Sequence, residues 1–245
     1  MRARCGRCCA RSCGDFESED FLAASCIRIR MPVVSSPCRE VLRILESAYK
    51  CPEFDLACSE MRWNPVQGHV PRGFYGATGN PAEVELVMVF AEPGDPHCNE
   101  RHDGLESAYR YAAFGYENGT DQFHRNVLRI LNGCWPALSF AEKMRKVWLT
   151  DSVLCSARKE GGVVPSRAAS ACGSRYLKRQ LELFPNALVV GFGSKAQTRL
   201  KRIGVQTYRS AFAVAPPGCN RRAASQSWEA IVTEVHQRRN DDEQS

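Results

Sequence analysis

No stretch of this 245-residue chain approaches the roughly 20 uninterrupted apolar residues that a membrane-spanning helix needs, and its first residues lack the apolar core of a signal peptide. No membrane partner is expected, and the chain reads as a soluble, cytoplasmic monomer. Internal repeats and low-complexity tracts are absent as well. A strong charge of one sign is also missing: 33 Lys and Arg against 27 Asp and Glu leave only +6, enough to draw the chain toward polyanions without establishing that it binds one. What is present is ordinary for a folded protein, with 44% hydrophobic and 24% charged residues, so disorder throughout is excluded. Cysteine is plentiful. Thirteen of them, an odd number without an export signal, argue for thiols or metal ligands over a disulfide framework.

Four cysteines, Cys5, Cys8, Cys9 and Cys13, crowd the start among Arg2, Arg4, Arg7 and Arg11, with no apolar periodicity around them. Residues 1–36 therefore read as a flexible, basic, cysteine-rich segment. A small metal knot is the alternative, and Met31 is an alternative start. Residues 37–237 read as one domain, and 238–245 as a polar tail.

Within the domain, Val41, Leu42, Leu45 and Ala48 recur at helical spacing, and the helix ends before Cys51 and Pro52. After a Gly- and Pro-rich connection comes an apolar run over 84–91, too short for a typical helix and with too few polar breaks for a surface strand. Runs over 147–154, 187–192 and 211–215 behave alike, so all four predict buried strands. Helical stripes precede them: Phe123, Val127, Ile130 and Leu131 in one, and Tyr176, Leu177, Gln180, Leu181 and Phe184 in another, after a cap at Ser166. Strands alternating with helices imply an α/β fold with a parallel sheet covered on both faces. Such sheets carry their chemistry in the loops past the strands' carboxyl ends. Here those loops hold Glu92, Pro93 and Gly94; residues 151–158; Gly193 and Ser194; and Pro216, Pro217, Gly218, Cys219 and Asn220.

The order of Gly79-Asn80-Pro81, the strand ending in Ala91-Glu92-Pro93-Gly94, the run from Val147 to Cys155, the Gly-Phe-Gly of 191–193 and a Pro-rich loop resembles the uracil-DNA glycosylase superfamily. The similarity spans roughly residues 51–235 and is nearest the iron-sulfur branch of bacteria and archaea. It implies a four-stranded parallel sheet flanked by helices in three layers. It also implies monofunctional hydrolysis of the bond between deoxyribose and a uracil, or a related damaged base, flipped out of DNA.

On this resemblance Glu92 becomes the carboxylate that stabilises the sugar cation and orients water. The branch's own Glu lies one residue earlier, where this chain has Ala91. A solvent-exposed loop carboxylate is the other reading. Asp151 stands where the branch carries an Asn that reads uracil. An ionised Asp accepts but does not donate, so either specificity is altered, or the acid is protonated, or O4 is read by the backbone. Asp151 also competes with Glu92 for the catalytic role, and a structural acid held by backbone N–H groups is the alternative. The family's His-Pro-Ser aligns with Ala215-Pro216-Pro217, so its His is missing, and Asn220 is the donor that remains in the loop.

Phe114 is the candidate to stack on the base, with Tyr111 and Tyr116 competing and Phe123 read as core. Cys155 and Cys172 nearly reproduce the spacing of the branch's last two ligands, and with Cys51 and Cys58 they imply a [4Fe-4S] cluster. Six residues part Cys51 from Cys58 where a tight pair is expected, and unliganded core thiols are the alternative. Arg158, Lys159, Arg167, Arg221 and Arg222, with Pro217 and Gly218 stiffening the last loop, are the DNA-binding candidates. Two rival functions stay open: a weakly catalytic or non-catalytic binder of uracil-containing or abasic DNA, and a small-molecule or nucleotide hydrolase with Glu92 as base.

Overall fold

The computed structural model describes residues 34–97 and 100–244. The cysteine-rich start and Met31 lie outside the described residues. The architecture is α/β, a five-stranded mixed sheet between layers of helices. Strand β1 (Tyr75–Gly76) pairs antiparallel with β3 (Val147–Asp151), whereas β2 (Leu86–Phe90), β3, β4 (Leu188–Phe192) and β5 (Arg209–Ala211) run parallel, in the spatial order β1-β3-β2-β4-β5. Every residue of β2 and β3 is buried, as continuous apolar runs in a doubly covered sheet require.

Three expectations need correction. The sheet has five described strands instead of four, because β1 is two residues long and too short to show a period. The last strand lies at 209–211 and not 211–215: it is an edge strand whose Arg209 and Ser210 face solvent, so its apolar content does not mark it. Ser166 is not a cap. It is the first residue of α5 (Ser166–Cys172), entered from Pro165 without a side-chain cap, and a π-helical turn over Gly173–Leu177 joins α5 to α6 (Lys178–Leu181).

Helix α1 (Arg39–Glu46) matches the first stripe. Helix α2 (Leu105–Asn118) is followed by α3 (Gln122–Cys134), whose first turn is closed by Asp121 accepting the His124 N–H at 2.9 Å. Helix α4 (Phe140–Lys146) feeds directly into β3 behind a capping box of Ser139 and Glu142. After β4 come α7 (Ser194–Arg202) and then α8 (Arg222–Glu243), which runs into the region expected to be a polar tail. Ala224, Trp228, Ile231 and Val235 form the buried stripe of α8, and the Trp228 indole donates to the Phe212 carbonyl at 3.0 Å.

Alternation along the strands sends neighbours to opposite layers. Phe90 meets Phe123 of α3 edge-on, with ring centroids 4.9 Å apart. On the other face the Trp148 indole and the Thr150 hydroxyl both donate to Oε1 of Gln180 in α6, at 3.0 and 2.9 Å. No helix among the described residues is long and apolar enough to cross a membrane.

Candidate functional site

From β2 the chain goes to β3 on one side, then crosses to β4 on the other, so the carboxyl ends of β2 and β4 flank the reversal of strand order where doubly wound sheets open a crevice. Glu92 lies two residues beyond β2, and α7 starts two residues beyond β4. The Glu92 side chain is only 7% exposed, which removes the reading of a solvated loop carboxylate. Its Oε1 accepts from Lys195 Nζ at 2.5 Å, and Arg199 Nη1 lies 2.6 Å from Oε2. No donor is aligned on Oε2, because Arg199 Nη1 instead donates to the Ala91 carbonyl at 2.7 Å and the Ser152 hydroxyl at 3.1 Å. The contact with Arg199 is thus an ion pair without hydrogen-bond geometry.

Asp151 ends β3 in register with Phe90. Its carboxyl is raised well above the usual aspartate range, first by burial and then by the negative charge of Glu92, against the smaller pull of Arg72 and Arg199. A neutral acid has an O–H donor and a carbonyl acceptor, and a carboxamide likewise offers both donor and acceptor, with one N–H more. Among the described residues no backbone N–H donates to this carboxyl, so the structural role weighed for it lacks its partners. Gly73, at φ +85°, packs against it so closely that a Cβ there would overlap Oδ2.

Residues 71–73 connect several parts of the site. Arg72, buried, donates from Nη2 to the Gly94 carbonyl at 2.5 Å and from Nη1 to the Ser156 hydroxyl at 3.0 Å, while that hydroxyl donates to the same Gly94 carbonyl at 2.9 Å. Its Nε lies 3.3 Å from Glu100 Oε1, which is 2.7 Å from His102 Nε2, and the His97 N–H donates to Glu100 Oε2 at 3.1 Å. Burial alone would raise the Glu100 carboxyl, but the His102 hydrogen bond and Arg72 outweigh it and hold the group below its usual value. One guanidinium therefore fixes the loop after β2 to the loop after β3.

The four expected cluster cysteines converge. Cys51, Cys58, Cys155 and Cys172 all line one cavity of about 190 Å³, together with Tyr49, Phe54, Trp63 and Tyr176. None is in a disulfide. Burial pushes three of the thiols up, Cys58 to about 11, Cys172 to about 12 and Cys155 well above its usual value, with neighbouring cysteines of the group adding to it. The spacing that looked wrong is bridged by the turn itself: the Cys58 N–H donates to the Glu53 carbonyl at 2.7 Å, folding residues 51–58 back on themselves. Among the described residues no three His, Cys, Asp or Glu side chains converge tightly enough for a single metal ion. Pro71, which also lines the cavity, accepts the Tyr49 hydroxyl at 2.7 Å.

The remaining candidates have unequal support. Phe114 is 48% exposed on the outer face of α2, one turn after Tyr111. Tyr116 is buried, and Phe123 packs against the core, as read from its stripe, while its ring also meets Phe90 at the end of β2. Asn220 accepts from Gln122 Nε2 at 3.2 Å, which places the Pro-rich loop against the start of α3 and leaves the Asn220 amide group to donate. Within that loop the Pro216–Pro217 bond is cis, and Pro217 leads into a 3₁₀ turn over Gly218–Asn220. Arg221 lies 6.0 Å from the Phe212 ring centroid. Arg158, Lys159, Arg221 and Arg222 are exposed with no described carboxylate within ion-pair distance, whereas Arg167 is paired with Glu60 at 2.9 Å.

No protein-family model matches the chain, and no curated protein matches it in sequence. Sequence reasoning missed Arg72, Glu100, His102, Lys195 and Arg199. The first three join segments up to 30 residues apart, and the last two sit on a helix that follows the loop of Gly193 and Ser194 and pair with Glu92, about a hundred residues away in sequence.

Proposed function

We propose that this chain hydrolyses the N-glycosidic bond of uracil, or a related damaged base, flipped out of DNA. The observation that carries this reading is the placement of Asp151 and Glu92 together at the carboxyl edge of the sheet, the first buried with its carboxyl pushed above the usual aspartate range and the second facing two cations. As a neutral acid Asp151 would donate to uracil O4 and accept N3–H. As the C1′–N1 bond breaks, its electron pair leaves with the base. Glu92 would offset the cationic sugar and take the proton of the water that adds to C1′. The missing His leaves Asn220 as the donor toward O2, and the sheet with four parallel strands suits the three-layer fold this chemistry resembles.

The experiment on Asp151 compares two variants. Asp151→Asn keeps one donor and one acceptor and should excise uracil within a few-fold of wild type, whereas Asp151→Ala should lose about a hundredfold. Because the folded acid is raised above its unfolded value of about 3.9, its contribution to stability is full below that value and is lost as pH rises through the folded pKa. Asp151→Asn should therefore melt higher than wild type at pH 8 and show no such gain at pH 4. Equal melting differences at both pH values would mean that the carboxyl is ionised.

The cysteine cavity fits a four-iron cubane: four free thiols, walls of aromatic rings, and a Leu154 N–H donating to Cys172 Sγ at 3.5 Å. Cys51, Cys58, Cys155 and Cys172 would hold it, and what it would supply is a cross-link between the 51–58 turn and the loop after β3. Protein purified without oxygen should be brown and carry about four irons per chain, and Cys172→Ser should lose both. Colourless wild-type protein with full activity would assign the four thiols to packing.

The cover over Glu92 favours one other reading, a binder of uracil-containing or abasic DNA that does not cut the bond. Tight gel-shift binding with no excision would select it.

A further inference from the structure

Glu92 is set up for its proposed role and yet closed off from it. Its side chain is 7% exposed, with one oxygen held by Lys195 and the other facing Arg199. The two cations are not equivalent. Arg199 is 8% exposed and locked by the Ala91 carbonyl and the Ser152 hydroxyl, so it is a permanent neighbour. Lys195 is 43% exposed, on the first turn of α7, and its other contact is the Gly162 carbonyl at 3.0 Å, in an exposed stretch beside Gly161. A flexible ammonium on a solvated stem exchanges partners readily, whereas a buried guanidinium fixed by two acceptors does not.

Displacing Lys195 would uncover Oε1 while Arg199, 2.6 Å from Oε2, stays beside the carboxylate. The displacing group must be an anion that reaches the start of α7. A phosphodiester suits it: an ammonium binds phosphate as a point charge, and Lys195 lies in the first turn of α7, which follows Gly193 with no side-chain cap.

We propose that Lys195 is a phosphate-binding residue that doubles as a cover on Glu92, so that a DNA phosphodiester next to the flipped nucleotide draws Lys195 away and exposes the carboxylate to the sugar. This rests on the glycosylase reading for Glu92, but the binding half stands without it. Before substrate binds, the closed pair would keep a lone carboxylate from repelling the DNA backbone.

The test uses the full chain, with Lys195→Ala and Lys195→Arg, on a duplex holding one 2′-fluorinated deoxyuridine for binding and on the unmodified duplex for single-turnover excision. Removing one phosphate contact should weaken binding on the order of tenfold at low salt and make the slope of log K against log salt shallower by about 0.9. Lys195→Arg should restore most of the slope. The rate at saturating protein should fall by less than the affinity does, because in the bound complex Lys195 has already left Glu92. A wild-type salt slope in Lys195→Ala, or a loss that falls wholly on the saturated rate, would overturn the proposal and make the pair a structural one. If the slope changes as expected while Glu92→Gln excises at the wild-type rate, Lys195 binds phosphate but the catalytic reading of Glu92 fails.

Discussion

Glu92→Gln is expected to slow single-turnover excision of uracil by about a hundredfold or more while leaving duplex affinity intact or slightly improved. The rate effect follows from removing the negative charge opposite an oxocarbenium-like sugar, a loss of the size seen when one preorganised electrostatic partner is deleted. The affinity effect follows from Lys195, whose competing carboxylate is replaced by a neutral acceptor that gives way to phosphate more readily. Gln preserves the side chain's shape and its acceptor for Lys195, so the fold survives, although Arg199 loses its buried counter-ion. Wild-type excision by this variant would remove Glu92 from the chemistry.

A second large effect is expected at a residue that touches neither sugar nor base. Arg72→Ala should destabilise the protein by about 3–5 kcal/mol, because it strips Glu100 of its guanidinium at a site where both side chains are less than a tenth exposed. It also leaves the Gly94 carbonyl with the Ser156 hydroxyl alone. For a domain of this size the melting temperature should drop by about 10 °C. Much of that cost lies in the uncompensated carboxylate, so Arg72→Met combined with Glu100→Gln should be less damaging than Arg72→Ala alone. A loss below about 1 kcal/mol, measured by reversible denaturation, would mean that the guanidinium is dispensable for fixing the two loops.

How far the sequence revealed this arrangement depended on whether the signal was local. Strands β2, β3 and β4 are legible as apolar runs because both faces of each are covered, and the loops that follow them hold Glu92 and Asp151 where strand topology says chemistry sits. The apolar run over 147–154 outlasts its strand: Val153 and Leu154 leave the sheet to line the cysteine cavity, so hydrophobicity overstated the strand's length. Helix α8 carries a clear i, i+4, i+7, i+11 stripe in Ala224, Trp228, Ile231 and Val235, obscured by the charged residues around it. The network of Arg72, Glu100 and His102 has no period at all. It exists only once the segments before and after β2 are brought side by side, and buried polar clusters of this kind leave no trace in a hydrophobicity pattern. The cysteine set shows the intermediate case. Residue spacing argued against a shared site for Cys51 and Cys58, and the turn that starts at Pro52 brings both to one cavity wall.

The most direct measurement is incubation of the protein with a uracil-containing oligonucleotide, followed by alkaline cleavage of abasic sites and separation of the strands. Strand cleavage at the uracil by wild-type protein, lost in Glu92→Gln and kept in Asp151→Asn, is the expected result. An intact strand after prolonged incubation with folded protein that binds the same oligonucleotide would contradict glycosylase activity.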